Sequence, residues 1–101
     1  MVQTQPYIIR LKTNERITIT KPVFRIGKEK SYVDYFISDN SAISRSHANI
    51  VIRDGKYYIV DTQSTNHTYI NGQIVASNVE NEITNGMKFR LANEDFEFRM
   101  Y

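Results

Sequence analysis

Apolar and polar residues alternate in short stretches along this chain, and residues that favour turns separate the stretches. In Tyr7-Ile8-Ile9-Arg10-Leu11-Lys12, Tyr7, Ile9 and Leu11 fall on one side of an extended segment and Arg10 and Lys12 on the other, the two-residue period of a strand. Thr13-Asn14 offers a turn, and Arg16-Ile17-Thr18-Ile19-Thr20 alternates again with β-branched residues, which suit a pleated surface. Pro22 allows a break before Val23-Phe24-Arg25-Ile26-Gly27, and a polar stretch from Lys28 to Asp34 leads to Tyr35-Phe36-Ile37. Ser38-Asp39-Asn40-Ser41 is dense in side chains that hydrogen-bond their own backbone, so a loop follows.

From His47 onward, Ala48, Ile50 and Ile52 share one face and Asn49, Val51 and Arg53 the other; Tyr58 and Val60 continue a return strand. Asp54-Gly55 between the two is a hairpin signal, and Asn71-Gly72 joins Thr68-Tyr69-Ile70 to Gln73-Ile74-Val75 in the same way. A polar stretch from Ala76 to Glu82 and an Asn85-Gly86 turn precede Met87-Lys88-Phe89-Arg90-Leu91. Phe96, Phe98 and Met100 then alternate with Glu97, Arg99 and Tyr101. No window keeps apolar residues at helical spacing for three turns. The pattern predicts an all-β sandwich or barrel whose first and last strands pair with each other, away from the loops.

A length of 101 residues predicts a single domain over 1–101 with its core in about 7–101, the leading module of something longer where the polypeptide continues. With 41% hydrophobic and 24% charged residues the chain falls in the ordinary globular range, so disorder is not expected. Thirteen Lys plus Arg stand against eleven Asp plus Glu. A net charge of +2 does not by itself argue for nucleic acid or membrane, and any anion site must be local. The absence of cysteine removes disulfides, thiolate metal sites and cysteine catalysis and is compatible with a cytoplasmic location. Met1-Val2-Gln3-Thr4-Gln5-Pro6 lacks the basic and apolar regions of a signal peptide, and no apolar run approaches the roughly 18 residues of a spanning helix.

Two polar segments carry the chemistry: Ser44-Arg45-Ser46-His47-Ala48, and Ser64-Thr65-Asn66-His67-Thr68-Tyr69-Ile70-Asn71-Gly72. The ladder between them turns back on itself, so both emerge at one end of the β-structure. Hydroxyls, cations and an amide meet there, the donor types that hold a phosphate and a peptide backbone. Together with Phe24-Arg25-Ile26-Gly27-Lys28, these segments resemble the forkhead-associated domain, in that family's order and at similar spacings, over nearly the whole chain.

The resemblance implies a β-sandwich of two twisted sheets with about eleven strands and loops at one end that bind phosphothreonine peptides. Carried over by position, Ser44 gives its hydroxyl and Arg45 a main-chain N–H to phosphate, Lys28 adds charge, Thr65 lies beside the phosphothreonine, and Asn66 fixes the peptide main chain with its amide. Gly27, His47, Asn71 and Gly72 support the site: Gly27 and Gly72 as backbone requirements, His47 as a tie between the loops, Asn71 as the turn partner of Gly72 and a brace for the second loop.

Two departures stand out. The family usually has Arg where this chain has Lys28, which keeps the charge and loses the planar fork. Gly is common where His67 stands, and His enters the left-handed region less easily. The implied function is a non-catalytic adaptor for phosphothreonine-containing partners of a Ser/Thr kinase, a monomer, with no cofactor, metal, nucleic acid or membrane contact. The alternative is a related module that binds its partner independently of phosphorylation. A hydrolase triad of Ser44, His47 and Asp61 lacks a nucleophile elbow and an oxyanion donor. Tyr57, Tyr58 and the scattered cations do not form a nucleic-acid stripe.

Overall fold

In a computed structural model of the protein, which describes residues 5–100, strand alternation is realised as eleven strands in two sheets. They are β1 (Tyr7–Arg10), β2 (Glu15–Thr18), β3 (Val23–Gly27), β4 (Tyr35–Phe36), β5 (Ala48–Arg53), β6 (Lys56–Asp61), β7 (Thr68–Ile70), β8 (Gln73–Ile74), β9 (Asn81–Ile83), β10 (Lys88–Leu91) and β11 (Glu94–Arg99). One sheet has the order β2-β1-β11-β10-β7-β8, the other β4-β3-β5-β6-β9. Among the described residues there is no helix, hence none long and apolar enough to cross a membrane. The readings of Met1–Thr4 and of Tyr101 lie outside the described residues.

The predicted turns have the backbone they need. Asp54 and Gly55 take φ of 54° and 75°, Asn71 and Gly72 of 53° and 77°, the paired left-handed residues of a hairpin turn whose twist matches its strands. The core between the sheets is filled by fully buried Ile8, Ile26, Ile50, Ile59, Leu91, Phe96 and Phe98, each contributing about 1.5–3 kcal/mol by leaving water. Phe89 stacks on Phe96 across β10 and β11 at 5.4 Å.

The first strand turns the opposite way from its predicted orientation. Ile8 and Arg10 face inward, while Tyr7 and Ile9 are half-buried and Leu11 is exposed. The cause is Glu94, which shares the inward parity of Phe96 and Phe98 on β11 and holds the Arg10 guanidinium by two hydrogen bonds of 2.9 Å. A paired guanidinium can be buried where a lone one cannot. β1 does pair with β11, with Tyr7 opposite Arg99. The polar stretch 76–82 also contains the start of β9, which closes the five-stranded sheet against β6 and which two polar residues out of three conceal from a hydrophobic pattern.

Register places the loops. Ile26 lies opposite Ala48 and Ala48 opposite Asp61, so the end of β3, the start of β5 and the end of β6 line up. The segment after Gly27, the first loop (37–47) and the second loop (62–67) therefore leave the sandwich at the same end, while Tyr7 and Arg99 lie together at the other.

Candidate functional site

Glycine 27 sets how closely the loops approach. A Cβ there would lie 2.0 Å from the Arg45 carbonyl oxygen and 3.0 Å from that of Ser44; no neighbour can yield that much, so the requirement at Gly27 is for space rather than for positive φ. Around it the backbone is stitched: Lys28 N–H donates to Ser44 C=O (3.0 Å) and His47 N–H to Ile26 C=O (2.9 Å).

His47 is completely buried and joins the two loops through its ring. Nδ1 accepts the Ser44 N–H at 3.0 Å, so Nε2 carries the proton and donates to the His67 carbonyl at 2.9 Å. Burial pushes this imidazole below its ordinary pKa, against the hydrogen bond to His67 and the charge of Asp61, and keeps it in the neutral tautomer that the geometry needs. His67 itself adopts φ of 69°, the left-handed conformation that Gly would take without cost. Its carbonyl also accepts the N–H of Ala92 at 2.9 Å.

Across this frame, Lys28, Ser44, Arg45, Thr65 and Asn66 line one shallow concavity of about 420 Å³. The Ser44 hydroxyl oxygen accepts the Thr65 N–H at 3.0 Å, leaving its proton free to donate outward. Asn66 Nδ2 donates to the Ala42 carbonyl at 3.0 Å, which leaves Oδ1 and a second N–H unused. Lys28 Nζ reaches only the Ser41 carbonyl, at 3.5 Å, and the exposed Arg45 guanidinium has neither an ion pair nor a hydrogen bond among the described residues. No Asp or Glu lines the concavity. Two unspent cations, a free hydroxyl proton and an amide thus face one hollow without a neutralising carboxylate.

Asn71 and Gly72 are elsewhere. Their turn is at the far end of β7 from the second loop, beside a larger hollow of about 520 Å³ on the six-stranded sheet, and no side-chain hydrogen bond joins Asn71 to that loop among the described residues. In that hollow Arg90 is neutralised by Asp95 at 2.8 Å, which makes it a poorer place for an anion.

The second loop is braced instead by Asp61, almost fully buried. Its carboxylate accepts Thr68 Oγ1 (2.7 Å), Ser77 Oγ (2.7 Å), Ser64 N–H (3.1 Å) and the Ser64 hydroxyl. Burial would raise its pKa, yet these donors outweigh burial and hold it below the ordinary carboxylate value. The signal in the sequence was parity: Asp61 shares the inward side of β6 with Ile59, and a polar residue at a core position needs partners. The hydrolase-like grouping is not assembled, because Ser44 Oγ meets Thr65 rather than His47, and Asp61 is spent on hydroxyls.

The first loop has a brace of its own. Arg10 Nη2 donates to Asp39 at 2.8 Å, and Asn40 Nδ2 donates to Glu94 Oε1 at 2.9 Å. The Arg10 guanidinium lowers the pKa of Glu94 against burial. Among the described residues no group of three His, Cys, Asp or Glu could hold a metal ion.

The family model described as FHA domain matches residues 24–92. Mycobacterium tuberculosis EmbR, solved in complex with a low-affinity phosphopeptide, superposes with a TM-score of 0.87 at 23% identity, covering 97% of this chain and 25% of that one; the chain thus spans about a quarter of EmbR's length. The N-terminal FHA domain of S. cerevisiae Rad53p, in complex with a phosphothreonine peptide, gives 0.85 at 19% identity, with 96% and 94% covered. The FHA domain of CT664 from Chlamydia trachomatis gives 0.85 at 20%, with 97% and 99% covered. At these identities the likeness is one of fold. No curated protein matches the chain closely enough to count as a relative.

Proposed function

Since the chain belongs to the FHA domain family, a family of phosphothreonine-binding modules, we propose that its loop-end concavity docks a phosphothreonine segment of a partner protein without altering it. The observation that carries this reading is the meeting of Lys28, Arg45 and the free proton of Ser44 in a hollow lined by no carboxylate. A phosphate dianion needs charge-assisted donors with direction, and those groups supply both. Asn66 retains a donor and an acceptor, enough to read an extended main chain without regard to its side chains. The solved complexes of EmbR with a phosphopeptide and of Rad53p with a phosphothreonine peptide support the same use of the fold. The partner on this reading is the substrate of a Ser/Thr kinase, and the protein's part is adaptation rather than catalysis.

The test is calorimetric titration with matched peptides chosen from an oriented phosphothreonine library. The phosphothreonine form is expected to bind and the unmodified form not to. Phosphoserine should bind about tenfold or more weakly, since one methyl group is worth roughly 1–3 kcal/mol. Lys28→Ala and Ser44→Ala should each weaken the phosphorylated peptide by about tenfold or more, the value of a charge-assisted hydrogen bond. Equal binding of all three peptides would overturn the reading in favour of a module that docks independently of phosphorylation.

A further inference from the structure

A continuous line of hydrogen bonds runs from the buried core to the amide that, on the reading above, meets the peptide. Arg10 on β1 grips Glu94 on β11 through Nε and Nη2, both at 2.9 Å. Glu94 Oε1 accepts Asn40 Nδ2 at 2.9 Å. Asn40 Oδ1 accepts the Ala42 N–H at 3.0 Å, and the carbonyl of Ala42 accepts Asn66 Nδ2 at 3.0 Å. The line runs from two buried side chains, at 5% and 2% exposure, through half-buried Asn40 and Ala42 to an exposed loop amide.

We propose that Arg10, Glu94 and Asn40 are positioning residues that act through Ala42 to aim the Asn66 amide at the peptide main chain. The proposal rests on the phosphopeptide reading and adds to it a cause for main-chain affinity that lies outside the concavity. Asn66 stands on an exposed loop, and an exposed amide turns freely unless one of its hydrogens is held. With one N–H committed to Ala42, the planar group is held in place, and its Oδ1 and second N–H remain for a ligand. Such preorganisation raises affinity because ordering is not charged to the binding step. The Ser44 donor does not depend on this line, being held by His47 and Thr65, and Lys28 Nζ meets it only through the exposed 3.5 Å contact with the Ser41 carbonyl, at the long limit of a hydrogen bond. The line should therefore govern the reading of the peptide backbone and leave the grip on phosphate alone.

The experiment compares wild type, Asn40→Ala, Asn66→Ala and the double variant. Each is titrated with the best library phosphopeptide and with phosphothreonine as the free amino acid, with side-chain amide resonances followed by NMR. Asn40 is half-buried and outside the concavity, so its variant should fold, and a preserved pattern of core resonances checks that. The expected result is roughly a tenfold loss for the phosphopeptide on Asn40→Ala, with less than about a twofold change for phosphothreonine. The same substitution should add almost nothing once Asn66 is already Ala, since residues acting as one unit are not additive. The Asn66 amide resonances should move on Asn40→Ala, and Asn40→Ser, which keeps an acceptor for the Ala42 N–H, should recover part of the affinity.

Fully additive effects of Asn40→Ala and Asn66→Ala would overturn the proposal, as would unmoved Asn66 resonances or an equal loss for phosphothreonine. In those cases the wild type still binds the phosphopeptide and the functional reading stands. A wild type that binds neither probe overturns the functional reading, and the positioning role falls with it.

Discussion

The two loops that form the concavity are braced by buried carboxylates of opposite design. Glu94, behind the first loop, is neutralised by a cation 84 residues away in the sequence. Asp61, behind the second, has no ion pair among the described residues and is held by donors 3 to 16 residues away. A buried carboxylate can be kept ionised by either means, but the means differ in what they connect. The ion pair ties the first loop to β1 and β11 of the opposite sheet, so the loop inherits the rigidity of the sandwich. The hydroxyl cage is local and ties the second loop mainly to the strands it joins.

The comparison predicts its sharpest contrast in stability. Glu94→Leu leaves the buried Arg10 guanidinium with only the exposed Asp39 as an ionic partner and should cost about 3 kcal/mol, the low end for a broken buried pair, whereas Arg10→Met combined with Glu94→Leu should return most of that loss, because no buried charge is then left underpaired. Denaturant unfolding measures both, and a double variant as unstable as the single one would show that the pair is not the unit. Asp61→Asn should cost less, about 1–3 kcal/mol. Its amide oxygen still accepts two hydrogen bonds, and serine hydroxyls can rotate to accept from the new N–H₂, leaving chiefly the Ser64 N–H unmatched.

Acid acts on both braces. Glu94 and Asp61 have lowered pKa values in the folded state, so between the folded and unfolded values the unfolded chain binds more protons and stability rises with pH. Their contribution is complete above the ordinary carboxylate range and is lost as pH falls through the lowered values. His47 is lowered as well, from 6.5. Its contribution is therefore complete above that value and declines below it, before either carboxylate is protonated. Thermal unfolding should show a plateau at neutral pH, a shallow fall below about pH 6.5 that His47→Asn shifts or removes, and a steeper fall in the acid range.

The smallest effect is expected at His67. His67→Gly relieves a left-handed side chain while giving the unfolded chain more freedom, and the two nearly cancel, for a net change within about 1 kcal/mol. A larger gain would mean that the second loop is strained more than its φ of 69° suggests.

Much of the scaffold was legible beforehand for a local reason. Asp54-Gly55 and Asn71-Gly72 specify their turns through φ alone, and the alternation in β3, β5 and β11 names the buried face because each side chain points opposite to the next. Asn71 was less legible, since a turn signal fixes a local shape and not what the turn lies against. β9 escaped because Asn81 and Glu82 form an edge without an apolar pattern.

What the sequence determined by itself is therefore whatever depends on neighbouring residues: the strand class, the hairpins, and the order of Lys28, Ser44, Arg45, Thr65 and Asn66 along the chain. Only the tertiary structure decided that Arg10 faces inward and that Asp61 and Glu94 stand behind the loops. The free energy of a buried charge is set by the partner that meets it, and for Arg10 that partner comes from the other end of the chain.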